Sequence, residues 1–253
     1  MRPRLRDSDA DALQFHFDAE RLPLLSLQRL DWWLHNEAER SGGINSLGSV
    51  LYCAPNLKYL SVGGVGFNRV HMESEMLCLP ELQTLRLHVR SGLLLLQIGK
   101  FWALPALTCV ILESPMNPEI LHGMWETIGP QLRVVEFGKH LRFMLFDIFG
   151  PCLQACPNLT QVNYYVFFAA PPNIHYPHSS VHTIGLHASV NQLLQDEEEV
   201  CGHVELHLRA LTDSLPALER VALYGEWRGI LSHARLLSAW QSLRDRRVSI
   251  ELL

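Results

Sequence analysis

One short pattern returns along most of this chain: proline, then apolar or aromatic residues two, five and seven positions later. It reads PNLKYLSV from Pro55, PELQTLRL from Pro80, PALTCVIL from Pro105, PQLRVVEF from Pro130, PNLTQVNY from Pro157 and PALERVAL from Pro216. Two looser copies, SLQRLDW around Leu27 and SVHTIGL around Val181, keep the apolar spacing without the proline. The last two apolar positions are separated by one residue, so both side chains fall on one face of a strand and the residue between them on the other. Proline has no backbone donor and suits only first or edge positions of a strand, so it should mark where each strand begins. A unit this small does not bury its apolar face alone; successive units must stack and share a core.

The first apolar positions are Leu27, Leu57, Leu82, Leu107, Leu132, Leu159, Val181 and Leu218, and through the middle of the chain they stand 25 residues apart. That period is the one expected of leucine-rich repeats, roughly 20 to 29 residues. Helical patterns fill the intervals at 44–54, 92–103, 118–128, 141–155, 198–213 and 233–246. Pro118 suits a first helical position with Asn117 as its cap, Gly150 and Pro151 should interrupt their run, and Leu236, Leu237, Trp240 and Leu243 should face inward. The fold class expected is α/β: a leucine-rich-repeat solenoid with a curved parallel sheet on the concave face and helices on the convex face. Residues 1–22 form an N-terminal extension, and 23–253 an irregular domain of about eight repeats closed by a terminal strand in RRVSIELL. A doubly wound fold also alternates strand and helix, but it does not repeat one pattern at this period. Val65, Arg90, Pro115 and His140 stand where many such repeats carry a loop-bonding Asn or Cys, so this chain should lack that ladder and have irregular loops. The stretch 187–214, with Glu197, Glu198 and Glu199, is left open between an extra helix and a long loop.

The formal net charge of -5 supplies no field to gather nucleic acid or an acidic membrane. The apolar runs at 92–98 and 143–149 fall far short of the roughly 20 residues of a membrane-spanning helix. Met1 to Leu22 carries Arg2, Arg4, Arg6, Asp7, Asp9 and Asp11 and no secretory apolar run. Six cysteines are too sparse for a disulfide framework and read as reduced thiols inside a cell, and the sequon at Asn158 reads as accidental.

The segments LDWWLHNEAERSGGINSL from Leu30, APNLKYLSVGG from Ala54, VEFGKHLRF from Val135, CPNLTQVNYYVFF from Cys156 and ALYGEWRG from Ala222 resemble the leucine-rich-repeat region of fungal F-box-like proteins from mushroom-forming basidiomycetes. The resemblance runs over roughly residues 20 to 253. In F-box proteins an N-terminal helical F-box recruits a ubiquitin-ligase adaptor while the repeats hold the substrate. The residues ahead of the first copy are too few for an F-box, so the resemblance implies the substrate-recognition half; a ligase adaptor enters only with an F-box upstream.

The residues beside and between the strand's apolar positions should line the concave face: Arg29, Asp31 and Trp33; Tyr59 and Ser61; Thr84, Arg86 and His88; Glu113 and Glu136; Gln161, Asn163 and Tyr165; His187; Arg220 and Tyr224. Tyr, Trp and Arg are the types that dominate interface hot spots, so Trp33, Tyr59, Arg86, Tyr165 and Tyr224 are the candidate contacts for a protein or peptide partner. Other motifs favour the plainer reading. Cys201, His203 and His207 in CGHVELH have a spacing able to hold zinc, but the Glu is misplaced for a hydrolase and an exposed helix with scattered histidines is the alternative. Cys152 and Cys156 share a helical face and read as packing residues, and Gly63, Gly64 and Gly66 read as a turn. No catalytic residue, metal or cofactor is expected. The rival readings are a metal-dependent hydrolase and a structural fragment without a ligand.

Overall fold

The computed structural model describes residues 23–34, 47–64, 76–88, 92–114, 118–141, 147–189 and 196–253. Each proline of the repeated pattern sits at the second position of a tight turn, which corrects its expected place at the strand's start. The Leu57 amide donates to Ala54 O, Leu82 to Leu79 O, Leu107 to Leu104 O, Leu132 to Gly129 O, Leu159 to Cys156 O and Leu218 to Leu215 O, at 3.0 to 3.3 Å. Proline's fixed φ suits the second position of such a turn, and its missing donor costs nothing there. The strand opens after the turn. Its first two amides share one carbonyl of the preceding unit: Lys58 and Tyr59 donate to Gln28 O, Gln83 and Thr84 to Lys58 O, Thr108 and Cys109 to Gln83 O.

The strands are β1 (Arg29–Leu34), β2 (Tyr59–Gly64), β3 (Leu77–Cys78), β4 (Thr84–His88), β5 (Trp102–Ala103), β6 (Cys109–Leu112), β7 (Val134–Phe137), β8 (Gln161–Tyr165), β9 (Thr183–Ala188), β10 (Arg220–Gly225) and β11 (Ser249–Leu252). Nine of them form an open, wholly parallel sheet in the order β1-β2-β4-β6-β7-β8-β9-β10-β11, while β3 and β5 pair separately. The chain is therefore mixed α/β, and each strand of the large sheet lies beside the next one along the sequence.

The helices are α1 (Leu47–Tyr52), α2 (Gly92–Phe101), α3 (Pro118–Ile128), α4 (Phe149–Ala155), α5 (Glu197–Ser214), α6 (Arg228–Ser232) and α7 (Leu237–Asp245). Pro118 opens α3 as expected, and Leu121, Met124, Trp125 and Ile128 form its buried stripe; Asn117 lies outside the described residues. The open stretch contains α5, whose Asp196 side chain accepts from the Glu198 amide while Glu197, Glu198 and Glu199 occupy the helix's positive end. Gly150 and Pro151 do not interrupt a helix but stand in the first turn of α4, where proline's lost donor is harmless. Asp147 caps that turn by accepting from the Phe149 and Gly150 amides, both at 2.9 Å. Leu236, Trp240 and Leu243 are buried, but Leu237 is 54% exposed, so its expected inward position is corrected.

One face of the sheet is closed by these helices. Leu60 and Val62, Leu85 and Leu87, Val110 and Leu112, and their counterparts through Val221 and Leu223, are buried with the helical stripes in one apolar cluster. Each such side chain contributes roughly 1.5 to 3 kcal/mol relative to exposure.

The missing Asn ladder has a substitute at the other end of the strand. Asn56 Nδ2 donates to Leu25 O at 2.7 Å, Gln131 Nε2 to Leu104 O at 2.8 Å and Asn158 Nδ2 to Pro130 O at 2.7 Å. In each case the residue after the turn's second position reaches back to the turn of the preceding unit. His140 lies in a turn, while Val65, Arg90 and Pro115 fall outside the described residues. Stacking is tight at Gly129, where an added Cβ would lie 2.4 Å from Ala155 O. Backbone on both sides has little room to yield, so Gly129→Ala should destabilise the fold by about 1 to 3 kcal/mol, read as a lower urea midpoint at unchanged slope.

Candidate functional site

The opposite face of the large sheet carries no helix among the described residues. Parallel register lines its side chains up in three rungs, of which the first begins Arg29, Tyr59, Thr84, Cys109. The second runs Asp31, Ser61, Arg86, Ile111, Glu136, Asn163, and ends Gly185, Ala222, Glu251. The third begins Trp33, Gly63, His88 and ends Tyr165, His187, Tyr224. All five candidate contacts therefore project from this one face, as period-2 alternation requires. They stand in two groups, with Trp33, Tyr59 and Arg86 on β1, β2 and β4 and Tyr165 and Tyr224 on β8 and β10.

At the first group, Arg29 Nε donates to Asp31 Oδ2 at 3.1 Å, and the Arg29 guanidinium lies 4.0 Å above the Tyr59 ring. Trp33 is 51% exposed yet held: its ring lies across Gly63, where a Cβ would come within 2.2 Å of it, and it meets the His88 ring at 5.6 Å. Arg86 donates to the buried Glu113 carboxylate. Burial opposes the Arg86 charge, but the hydrogen bonds with Glu113 and Tyr59 prevail and hold the guanidinium protonated. Its Nε is buried without a partner. Burial lowers the His88 pKa, against a smaller opposite pull from Glu113.

The second group is an aromatic stack. His187 lies between Tyr165, at 4.6 Å and 20°, and Tyr224, at 4.5 Å and 12°. Burial lowers the His187 pKa, with Glu136 pulling the other way, so the ring is neutral near pH 7. Asn163 lies over Gly185, and Glu113 lies over Gly138, in each case where a Cβ would collide with the side chain of the preceding strand. Beyond the stack, Arg220 grips Glu251 through Nε at 2.9 Å and Nη2 at 2.6 Å. Sequence reasoning included His187 among the face residues but not its place between two tyrosines, and it missed the part played by Gly63, Gly138 and Gly185. A glycine at an outward position of a strand is the available signal, because it marks a close approach.

Behind the sheet, α5 presents His203 and His207 to the 166–169 segment. His207 is fully buried, which corrects the expectation of an exposed helix with scattered histidines. Its Nε2–H donates to Ala169 O at 3.2 Å, so Nδ1 accepts from the Tyr164 hydroxyl at 3.0 Å. His203 Nε2–H donates to Val166 O at 2.8 Å. Burial, reinforced by His203, lowers the His207 pKa to about 3. Cys201 sits instead among Glu197, Glu198 and Arg235. Cys152 and Cys156 are both buried, and desolvation pushes the Cys152 thiol well up.

A cleft of about 910 Å³ opens between α4 and residues 173–179. The Asp147 carboxylate at its edge already accepts from the Phe149, Gly150 and Asn173 amides. The open sheet face, with its mixed charges and held aromatics, is the stronger candidate.

No known protein family matches the chain, and no curated protein matches it. Among the described residues no helix is long and apolar enough to cross a membrane.

Proposed function

We propose that this chain is a non-catalytic interaction module, a leucine-rich-repeat solenoid that holds a protein or peptide on the concave face of its parallel sheet. The repeated turn-and-strand unit and the strand order, which follows the chain order, support the solenoid reading. The observation that carries the binding role is the uncovered face itself, where Trp33, Tyr59, Arg86, Tyr165 and Tyr224 stand in register on one sheet. Their side chains are pinned by neighbours, so a partner would meet rigid aromatic surface at small entropic cost. Of the histidines of this face, His187 is stacked between tyrosines and His88 meets the Trp33 ring at a tilt, and Glu113 is engaged by Arg86, an arrangement that serves positioning better than proton transfer.

The resemblance to fungal F-box-like proteins supports reading such a module as the substrate-recognition part of an F-box-type ubiquitin ligase inside the cell, with an adaptor bound only through an F-box upstream. Alanine at Trp33, Arg86 and Tyr165 together, with the fold checked by circular dichroism, should reduce capture of a partner by roughly a hundredfold or more, since each hot-spot truncation costs about 1 to 2 kcal/mol or more. Capture unchanged by the triple variant would reject this face as the binding surface.

A further inference from the structure

We propose that the centre of the open face is an anchor for an arginine side chain of an extended peptide, whose guanidinium pairs with Glu136 and lies against the Tyr165 ring. This rests on the reading of that face as the binding surface. The charges of the face are otherwise matched: Arg29 with Asp31, Arg86 with Glu113, Arg220 with Glu251. His88 and His187 are neutral near pH 7. Glu136 has no cationic partner among the described residues, and it stands on β7, the fifth of nine strands.

Its neighbours strengthen the case. On the second rung Glu136 is flanked by Ile111 and Asn163, and along its own strand by Val134 and Gly138. The apolar neighbours reduce competing water, so an incoming cation is attracted more strongly than at an open surface. His187 stacks on one side of Tyr165, Phe168 stands at 6.5 Å, and β7, which pairs with β8, is the strand on the side away from His187. The Glu113 carboxylate takes the place a side chain at Gly138 would fill, and Glu136 stands two residues before that glycine in the chain. Burial raises the Tyr165 pKa first, and Glu113 and Glu136 raise it further, which is consistent with both carboxylates acting at that hydroxyl. A guanidinium is planar, stacks on aromatic faces and pairs with a carboxylate through two parallel bonds, whereas an ammonium does only part of this.

The test is selection of displayed random peptides on the full chain, repeated on the Glu136→Gln variant, which should keep the wild-type melting temperature because the side chain has no ion pair to lose among the described residues. Selected peptides should share one arginine, bind the variant roughly tenfold or more weakly, and lose affinity similarly when that arginine is replaced by neutral, isosteric citrulline. Replacement by lysine should weaken binding less than citrulline does. Peptides that are sensitive to Trp33→Ala or Tyr224→Ala but show no arginine, or no response to Glu136→Gln, would overturn the anchor and leave the open-face reading standing. Failure to select any peptide sensitive to these positions would overturn both.

Discussion

Trp227→Ala should remove about 3 to 5 kcal/mol of stability, the largest effect of any single substitution considered for this chain. Trp227 is fully buried between two aromatic neighbours, Phe167 and Trp240, each with its ring centroid 6.3 Å away. Its indole Nε1–H donates to Leu186 O at 3.2 Å and Tyr224 O at 3.0 Å. The residue thus joins three things: the ends of β9 and β10, the 166–168 turn and α7. Truncation leaves a cavity whose walls belong to separate elements that cannot collapse together, and it strips two carbonyls of a donor. Trp227→Phe, which keeps much of the ring contact and loses only the donor and part of the volume, should cost about 1 to 2 kcal/mol. Urea titration followed by far-ultraviolet circular dichroism separates the two. Equal losses for Phe and Ala would show that the hydrogen bonds, not the packing, hold this junction.

Acidification should produce the second large effect. In the folded chain His207 stays neutral down to about pH 3, because burial and the adjacent His203 oppose its charge. In the unfolded chain it titrates near the ordinary value of about 6.5. Between those limits the unfolded state binds the extra proton, so stability falls as pH falls. The contribution is fully present above about pH 6.5 and is lost progressively toward pH 3, to a total on the order of 5 kcal/mol. His203, His88 and His187 are shifted in the same direction by burial and steepen the decline. His207→Gln keeps a neutral amide able to donate and accept, so it should flatten the dependence between about pH 7 and pH 4.5 at some cost in stability near neutrality. An unchanged slope in the variant would assign acid sensitivity to other groups.

The sequence was readable wherever one interaction fixed the outcome locally. The apolar spacing of the octet located β2, β4, β6, β7, β8 and β10, and it found β1 and β9 without their proline, because alternation alone decides which face a side chain takes. The same alternation placed Trp33, Tyr59, Arg86, Tyr165 and Tyr224 on one face. Proline's position was misread because its restricted φ fits a turn as well as a strand edge, and only the hydrogen bonds of the turn distinguish them. The burial of His207 was not readable, since a polar residue on a helix becomes internal only when a partner such as Tyr164 arrives from 43 positions away. The Tyr165–His187–Tyr224 stack likewise depends on neighbours brought together by sheet order, a long-range relation that no local pattern records.

The side chains of Asn56, Gln131 and Asn158 each reach back to the preceding turn, so three of the units are seated on their predecessors in the same way. Such a chain resembles coursed masonry more than a single casting. Adding or removing a course between matching prolines would keep such joints above and below it and alter only the width of the open sheet face.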